Sequence, residues 1–208
     1  SAQEVAIRIL MMAYALRVFN QSAYSTTSRK HLLARVMARH AERISPTLLY
    51  ARSQNNNHLL LEAVGLYTAG VLLPAHARAA DWRKTGWYWF NRAIKEQIEP
   101  NGTYIQHSVN YHRLMLQAAL WMQQLARQQG DNFPLETNRK LAAATHWLLD
   151  LIDPVSGQVP NLGNNDGAYL FPLAPGGFKD YRPVLQAAST AFLHSPALYR
   201  GKWDELSL

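Results

Sequence analysis

Apolar residues recur at intervals of three and four along most of the chain, and nowhere do they alternate with polar ones over more than a few positions. That period is helical. It predicts helices over about 2–19, 29–44, 55–73, 76–98, 106–129, 135–152 and 181–194, and no sheet. Breakers sit where those stretches end: Ser45-Pro46, Pro74, Pro100-Asn101-Gly102 and Gly130 to Pro134. The connections are short, so successive helices should run antiparallel as hairpins. The expected fold class is therefore all-α, an incomplete α/α toroid of antiparallel helix hairpins, with a bundle or solenoid as the competing architecture. No repeat of the tetratricopeptide or ankyrin kind is visible, which favours the toroid. One long segment, Asp153 to Asp180, is rich in Gly and Pro and lacks a helical period. A loop of that length is more often functional than idle.

At 208 residues, with 48% hydrophobic and 17% charged, the chain can build one core of ordinary size, so a single domain over 1–208 is expected. It begins already in helical pattern and without Met, and so reads as a domain excised from a longer chain. With no Cys, thiol nucleophiles, disulfides and Cys-based zinc sites are excluded. No apolar run reaches the ~18 residues of a membrane span. Lys and Arg exceed Asp and Glu by 21 − 14 = 7. The basic residues are mostly Arg, which suits bidentate binding of carboxylate or sulfate, but they are scattered without a basic run or a nucleic-acid motif, so on composition alone they read as a solvated basic surface.

Three stretches carry candidate chemistry. The first runs from Asn101 to Arg113, where a turn leads into a helix bearing His107, Ser108, Tyr111, His112 and Arg113 just before an apolar run. Helical spacing puts His107 and Tyr111 on one face at i and i+4. The second is Asn55-Asn56-Asn57-His58 with Glu62 one turn on. Asn55 or Asn56 suits a helix cap, Glu62 is placed to orient His58, and the amide of Asn57 is left to meet a ligand. The third, Pro160 to Gly167, contains Asn165-Asp166-Gly167, which by itself is turn chemistry. Trp82, Trp87, Tyr88, Trp89 and Phe90 form an aromatic patch read mostly as core, with one or two rings free to stack on sugar. Trp121 and Trp147 are read as core.

Taken together, Asn55-Asn56-Asn57-His58 with Glu62-Ala63 and Gly65-Leu66, Trp82 with Gly86, Gly102, Gln106, Ser108 and Tyr111-His112-Arg113, and Pro160-Asn161 with Gly163 to Gly167 resemble the toroid domain of heparinase II/III-like polysaccharide lyases. The motifs follow in the same order over about 50–170. The resemblance implies β-elimination on a uronate-containing acidic polysaccharide, without cofactor or metal in this domain. By resemblance, Asn57 neutralises the uronate carboxylate, His58 orients Asn57 or touches sugar, and Tyr111 is the general acid to the leaving oxygen and a candidate base. His107, Arg113, Glu62, Asn56, Asn165 and Asp166 are then substrate-binding candidates. A cation such as Arg113 is expected to favour the Tyr111 phenolate, His112 to be packed behind the site, and Asp166 to shape the groove wall. The amide of Asn57 and the phenol of Tyr111 are expected to meet in one cleft. The resemblance further implies helices preceding this chain, a C-terminal β-sandwich domain bearing another catalytic His, and a periplasmic or secreted location.

Two other functions compete. A glycoside hydrolase on the same helical ring needs two carboxyls about 5–10 Å apart, for which Glu62, Glu96, Glu99 and Asp166 are candidates. A non-catalytic acidic-glycan-binding toroid needs only the basic groove.

Overall fold

The computed structural model describes residues 1–172 and 176–204; three residues of the long Gly- and Pro-rich segment and the last four of the chain lie outside it. Among the described residues there are eight α-helices and no β-strand, with a single isolated antiparallel bridge between Ile98 and Tyr104. Where one domain is expected, the chain divides into two compact units, Ser1–Ala93 and Ile94–Leu208.

The first unit holds α1 (Ala2–Phe19), α2 (Thr27–Ile44), α3 (Leu48–Gln54), α4 (Asn57–Leu72) and most of α5 (Ala79–Gln97). Helix α1 starts with a reciprocal capping box between Ser1 and Glu4, and α2 with Thr26, whose hydroxyl accepts from the backbone N–H of Arg29. Every residue of α4 from Leu59 to Gly70 is buried. A helix with no polar face must be surrounded, and α1, α2 and α3 all pack against it. Gly86 shows why the Trp82 to Gly86 spacing matters. A Cβ there would come within 2.5 Å of the Ala63 carbonyl oxygen and the Tyr67 nitrogen, so α4 and α5 touch backbone to backbone. That motif is a packing device. Trp82 and Phe90 are buried, Trp87 and Trp89 half-buried, and Tyr88 is exposed, so the patch divides between core and surface.

The second unit holds the end of α5, then α6 (Val109–Gln128), α7 (Leu135–Leu149) and α8 (Arg182–Ala188), followed by a π-helical turn Ser189–Leu193 and a 3-10 turn Lys202–Asp204. Helix α6 packs on α7 and α8. Trp121 is buried, stacked on Phe171, whereas Trp147 is only half-buried and stacks on His112. The segment entering α6 is held by the Ile98–Tyr104 bridge, by the Tyr104 hydroxyl donating to Gln97 (3.1 Å), and by the Lys140 ammonium donating to the Ile98 carbonyl.

Predicted and observed helix ends differ by up to three residues at 29–44, 76–98 and 135–152, and three further differences change the picture. The 55–73 helix starts only at Asn57, because Asn55 takes a left-handed conformation (φ 43°) that closes the unpredicted α3. The 106–129 helix starts at Val109, because His107 is also left-handed (φ 48°). The last predicted helix loosens to π geometry after Ala188.

Candidate functional site

The site grows from the N-terminus of α6. Ser108 caps it: its Oγ accepts from the Tyr111 backbone N–H (3.2 Å) and donates to the Asn164 carbonyl (2.5 Å). The Val109 N–H donates to the Leu162 carbonyl (3.1 Å), so the loop 160–167 lies across the first turn of α6. Gly163 makes that approach possible. It has φ +71°, and a Cβ on it would collide with the His107 carbonyl and the Ser108 backbone. Asx turns follow, in which Asn165 Oδ1 accepts from the Gly167 N–H (3.2 Å) and Asp166 Oδ1 from the Ala168 N–H (3.1 Å).

This clamp brings Asp166 to Tyr111, whose hydroxyl donates to Asp166 Oδ2 at 2.6 Å. That hydrogen bond comes first among the causes that push the Tyr111 phenol up to about 12, with burial and the carboxylate charge adding to it. The same bond holds the Asp166 carboxyl below the usual range. At neutral pH the pair is therefore a neutral phenol and a carboxylate. The expected effect of nearby cations on Tyr111 is reversed, since the charge that reaches the phenol is an anion. Asp166, expected as groove wall, is the partner of Tyr111.

Arg113 is the clearest correction among the substrate-binding candidates. It is fully buried, and its guanidinium lies 4.5, 4.2 and 4.4 Å from the ring centroids of Tyr169, Phe178 and Tyr181. It donates to the Phe178 carbonyl and to Asn110 Oδ1 (2.8 Å). A cation so enclosed fastens the long segment to α6 and has no face left for sugar. Asn110, which sequence reasoning passed over, extends the chain of contacts, with its Nδ2 at 3.5 Å from Asp166 Oδ1. Its signal was available one position before Tyr111, as an amide inside a helix that turned out to be buried.

The remaining candidates separate. His107 is exposed and precedes the helix, so it does not share a helical face with Tyr111. His112 is buried against Trp147, donates through Nε2–H to the Ala144 carbonyl (2.8 Å), and is lowered to about 4 by burial, which keeps it a neutral packed group as expected. Asn165 is exposed and donates to Asn161 Oδ1 (3.2 Å).

In the first unit, Asn56 is the cap of α4, its side chain accepting from the His58 N–H (2.9 Å). Asn57 is the first residue of the helix and is 4% exposed. That is far less than a ligand-facing amide was expected to show, because α4 is buried from its first turn. Glu62 accepts from the Thr47 hydroxyl (3.3 Å), and among the described residues no hydrogen bond joins it to His58. Burial pushes Glu62 up to about 7 and lowers His58, so the His58 imidazole is neutral at neutral pH. Among the described residues no three His, Asp or Glu side chains are grouped to hold a metal.

Residues 2–168 match the family model described as "Heparinase II/III N-terminus", and the chain belongs to that family. It is 38% identical over 60 residues to a heparin-sulfate lyase of Bacteroides stercoris, which is 29% of this chain and 9% of that protein. It is 28% identical over 109 residues to a heparin-sulfate lyase of Bacteroides thetaiotaomicron, 52% of this chain and 15% of that one. A crystal structure of heparinase III superposes with a TM-score of 0.70 at 19% identity, over 94% of this chain and 29% of that one, which shows that the helical fold is shared. The chain thus spans less than a third of the length of these relatives.

Proposed function

We propose that the protein is a polysaccharide lyase that cleaves a uronate-containing acidic polysaccharide by β-elimination, with Tyr111 as the general acid. The observation that carries the reading is the 2.6 Å hydrogen bond from the Tyr111 hydroxyl to Asp166, which holds the phenol in place and pushes its pKa up to about 12. Elimination breaks the C5–H and C4–O bonds and forms a C4–C5 double bond conjugated to the carboxyl group. The leaving oxygen departs as an alkoxide unless it takes a proton. A neutral phenol, far more acidic than the alcohol that the leaving oxygen becomes, can supply it. Rotation of the O–H turns its hydrogen bond from the Asp166 carboxylate to the leaving oxygen. The phenolate then formed beside Asp166 is disfavoured by like charge and recovers a proton readily.

The same charge argument makes Tyr111 an acid rather than a resting base. The base is then another group of the whole protein. The family match and the heparin-sulfate lyase relatives favour a glycosaminoglycan as the polymer class. A protein acting on such polymers works where they occur, in the periplasm or outside the cell.

The test is to incubate the full-length protein with heparan sulfate, hyaluronan, alginate and bacterial uronate polymers and follow ultraviolet absorbance. An unsaturated uronate supports the lyase. Reducing ends without that absorbance mean hydrolysis, and retention on an acidic-glycan column with no product means a binding module. Either of the last two overturns the proposal.

A further inference from the structure

Beside the loop that carries Asp166, the second unit contains a cleft of about 370 Å³, within the roughly 300–1,000 Å³ of pockets that bury small ligands. Its walls include Gln158, Asn161, Asn165, Phe178, Lys179 and Tyr181, and Val109 of α6 lies at its edge. Lys179 is the one charged residue among the described residues lining it, and it is exposed. The neighbouring carboxylate does not neutralise it, because Asp180 is held by Arg182 through Nε (3.0 Å) and Nη2 (2.8 Å). Asn161 is exposed and accepts from Asn165 through Oδ1 (3.2 Å), which leaves its amide N–H groups available to a ligand. The aromatic side is rigid: Phe178 and Tyr181 are both pinned against the Arg113 guanidinium.

We propose that this cleft is a subsite for an anionic sugar residue, with Lys179 holding its carboxylate or sulfate and the amides of Asn161 and Gln158 meeting its hydroxyls. The choice of a uronate polymer rests on the lyase reading, but binding here does not require elimination. A cation, several exposed amides and the half-buried Phe178 ring around a concave space are what an acidic pyranose presents complements to: charge, hydroxyls and an apolar ring face. The cleft adjoins Asn165, next in sequence to Asp166, so a chain seated there leads along the loop towards Tyr111. Lys179 thereby becomes a residue that reads the sugar next to the one being cleaved.

The experiment measures, by calorimetry on the full-length protein carrying Tyr111→Phe, the affinity for a heparan-derived oligosaccharide, its desulfated form and its carboxyl-reduced form. Lys179→Ala should weaken binding of the intact oligosaccharide about five- to ten-fold, and Lys179→Arg should restore most of it. Loss of the Lys179→Ala effect in the desulfated form assigns the contact to sulfate. Loss in the carboxyl-reduced form assigns it to carboxylate. Affinity unchanged by Lys179→Ala for all three ligands overturns the subsite. If the protein forms no unsaturated product yet Lys179→Ala still weakens binding, the lyase reading fails and the subsite stands.

Discussion

Asp166 raises the pH at which Tyr111 would lose its proton, and that sets the expected alkaline behaviour. Removing the charge with Asp166→Asn weakens the hydrogen bond that raises the phenol, so the Tyr111 pKa should fall. The alkaline limb of the kcat profile should move to lower pH, with kcat at neutral pH down about 100-fold as the phenol loses its orientation. A profile unchanged in Asp166→Asn would contradict this role. Glu62 offers a separate test. Its folded pKa, about 7, lies above its ordinary value because burial penalises the charge. Its contribution is thus fully present below the unfolded pKa and lost as pH rises through about 7. Thermal melting of wild type should therefore weaken over that window, and Glu62→Gln should flatten the dependence. Of these residues Tyr111 was legible in the sequence, since a phenol among polar groups before an apolar run stands out. Its anionic partner was not, because the Asp166 pairing spans 55 positions and Asn165-Asp166-Gly167 reads locally as a turn. Arg113 misled for the opposite reason: two of the three rings that enclose it, Tyr169 and Phe178, come from a segment with no periodicity.

Among the elements, the start of α6 and the loop 160–167 form one working part. Ser108 serves both, as helix cap and as donor to Asn164. Ser108→Ala should cost about 1 kcal/mol of stability, visible in denaturant melts, and should lower kcat by more than that loss implies. Gly163→Ala is sharper. It adds a Cβ where φ is +71° and where the His107 carbonyl already sits, so the loop must lift away from α6. Elimination should fall steeply while far-ultraviolet circular dichroism keeps its helical shape; retained activity would show that the clamp does not position Asp166. Helix positions were readable because Pro and Gly mark most of their ends. The short α3 was not, since Leu48–Gln54 is less than two turns of period and its end depends on a left-handed Asn55. The start of α6 was placed too early because His107 has no sequence mark of a left-handed backbone.

At the scale of the whole molecule, the proposed acidic polysaccharide is opposite in sign to the chain's net charge. A formal net charge of +7 should draw a polyanion electrostatically, so affinity for acidic glycans should fall as salt shortens the screening length from about 8 Å at 0.15 M. Binding insensitive to salt would mean that charge is not what recruits the polymer. The all-α class and the family were legible, the first from the helical period and the second from motifs in matching order. The division into two compact units was not, because the boundary at Ala93 falls inside the uninterrupted period of α5. The central claim, that Tyr111 protonates the leaving oxygen, is tested most directly by comparing full-length wild type and Tyr111→Phe on a uronate polymer and on a uronide with nitrophenoxide at C4, a group that leaves without a proton. The account predicts a loss of about 1,000-fold or more on the polymer and little loss on the nitrophenyl substrate. Equal losses on both, or an active Tyr111→Phe enzyme on the polymer, would contradict it.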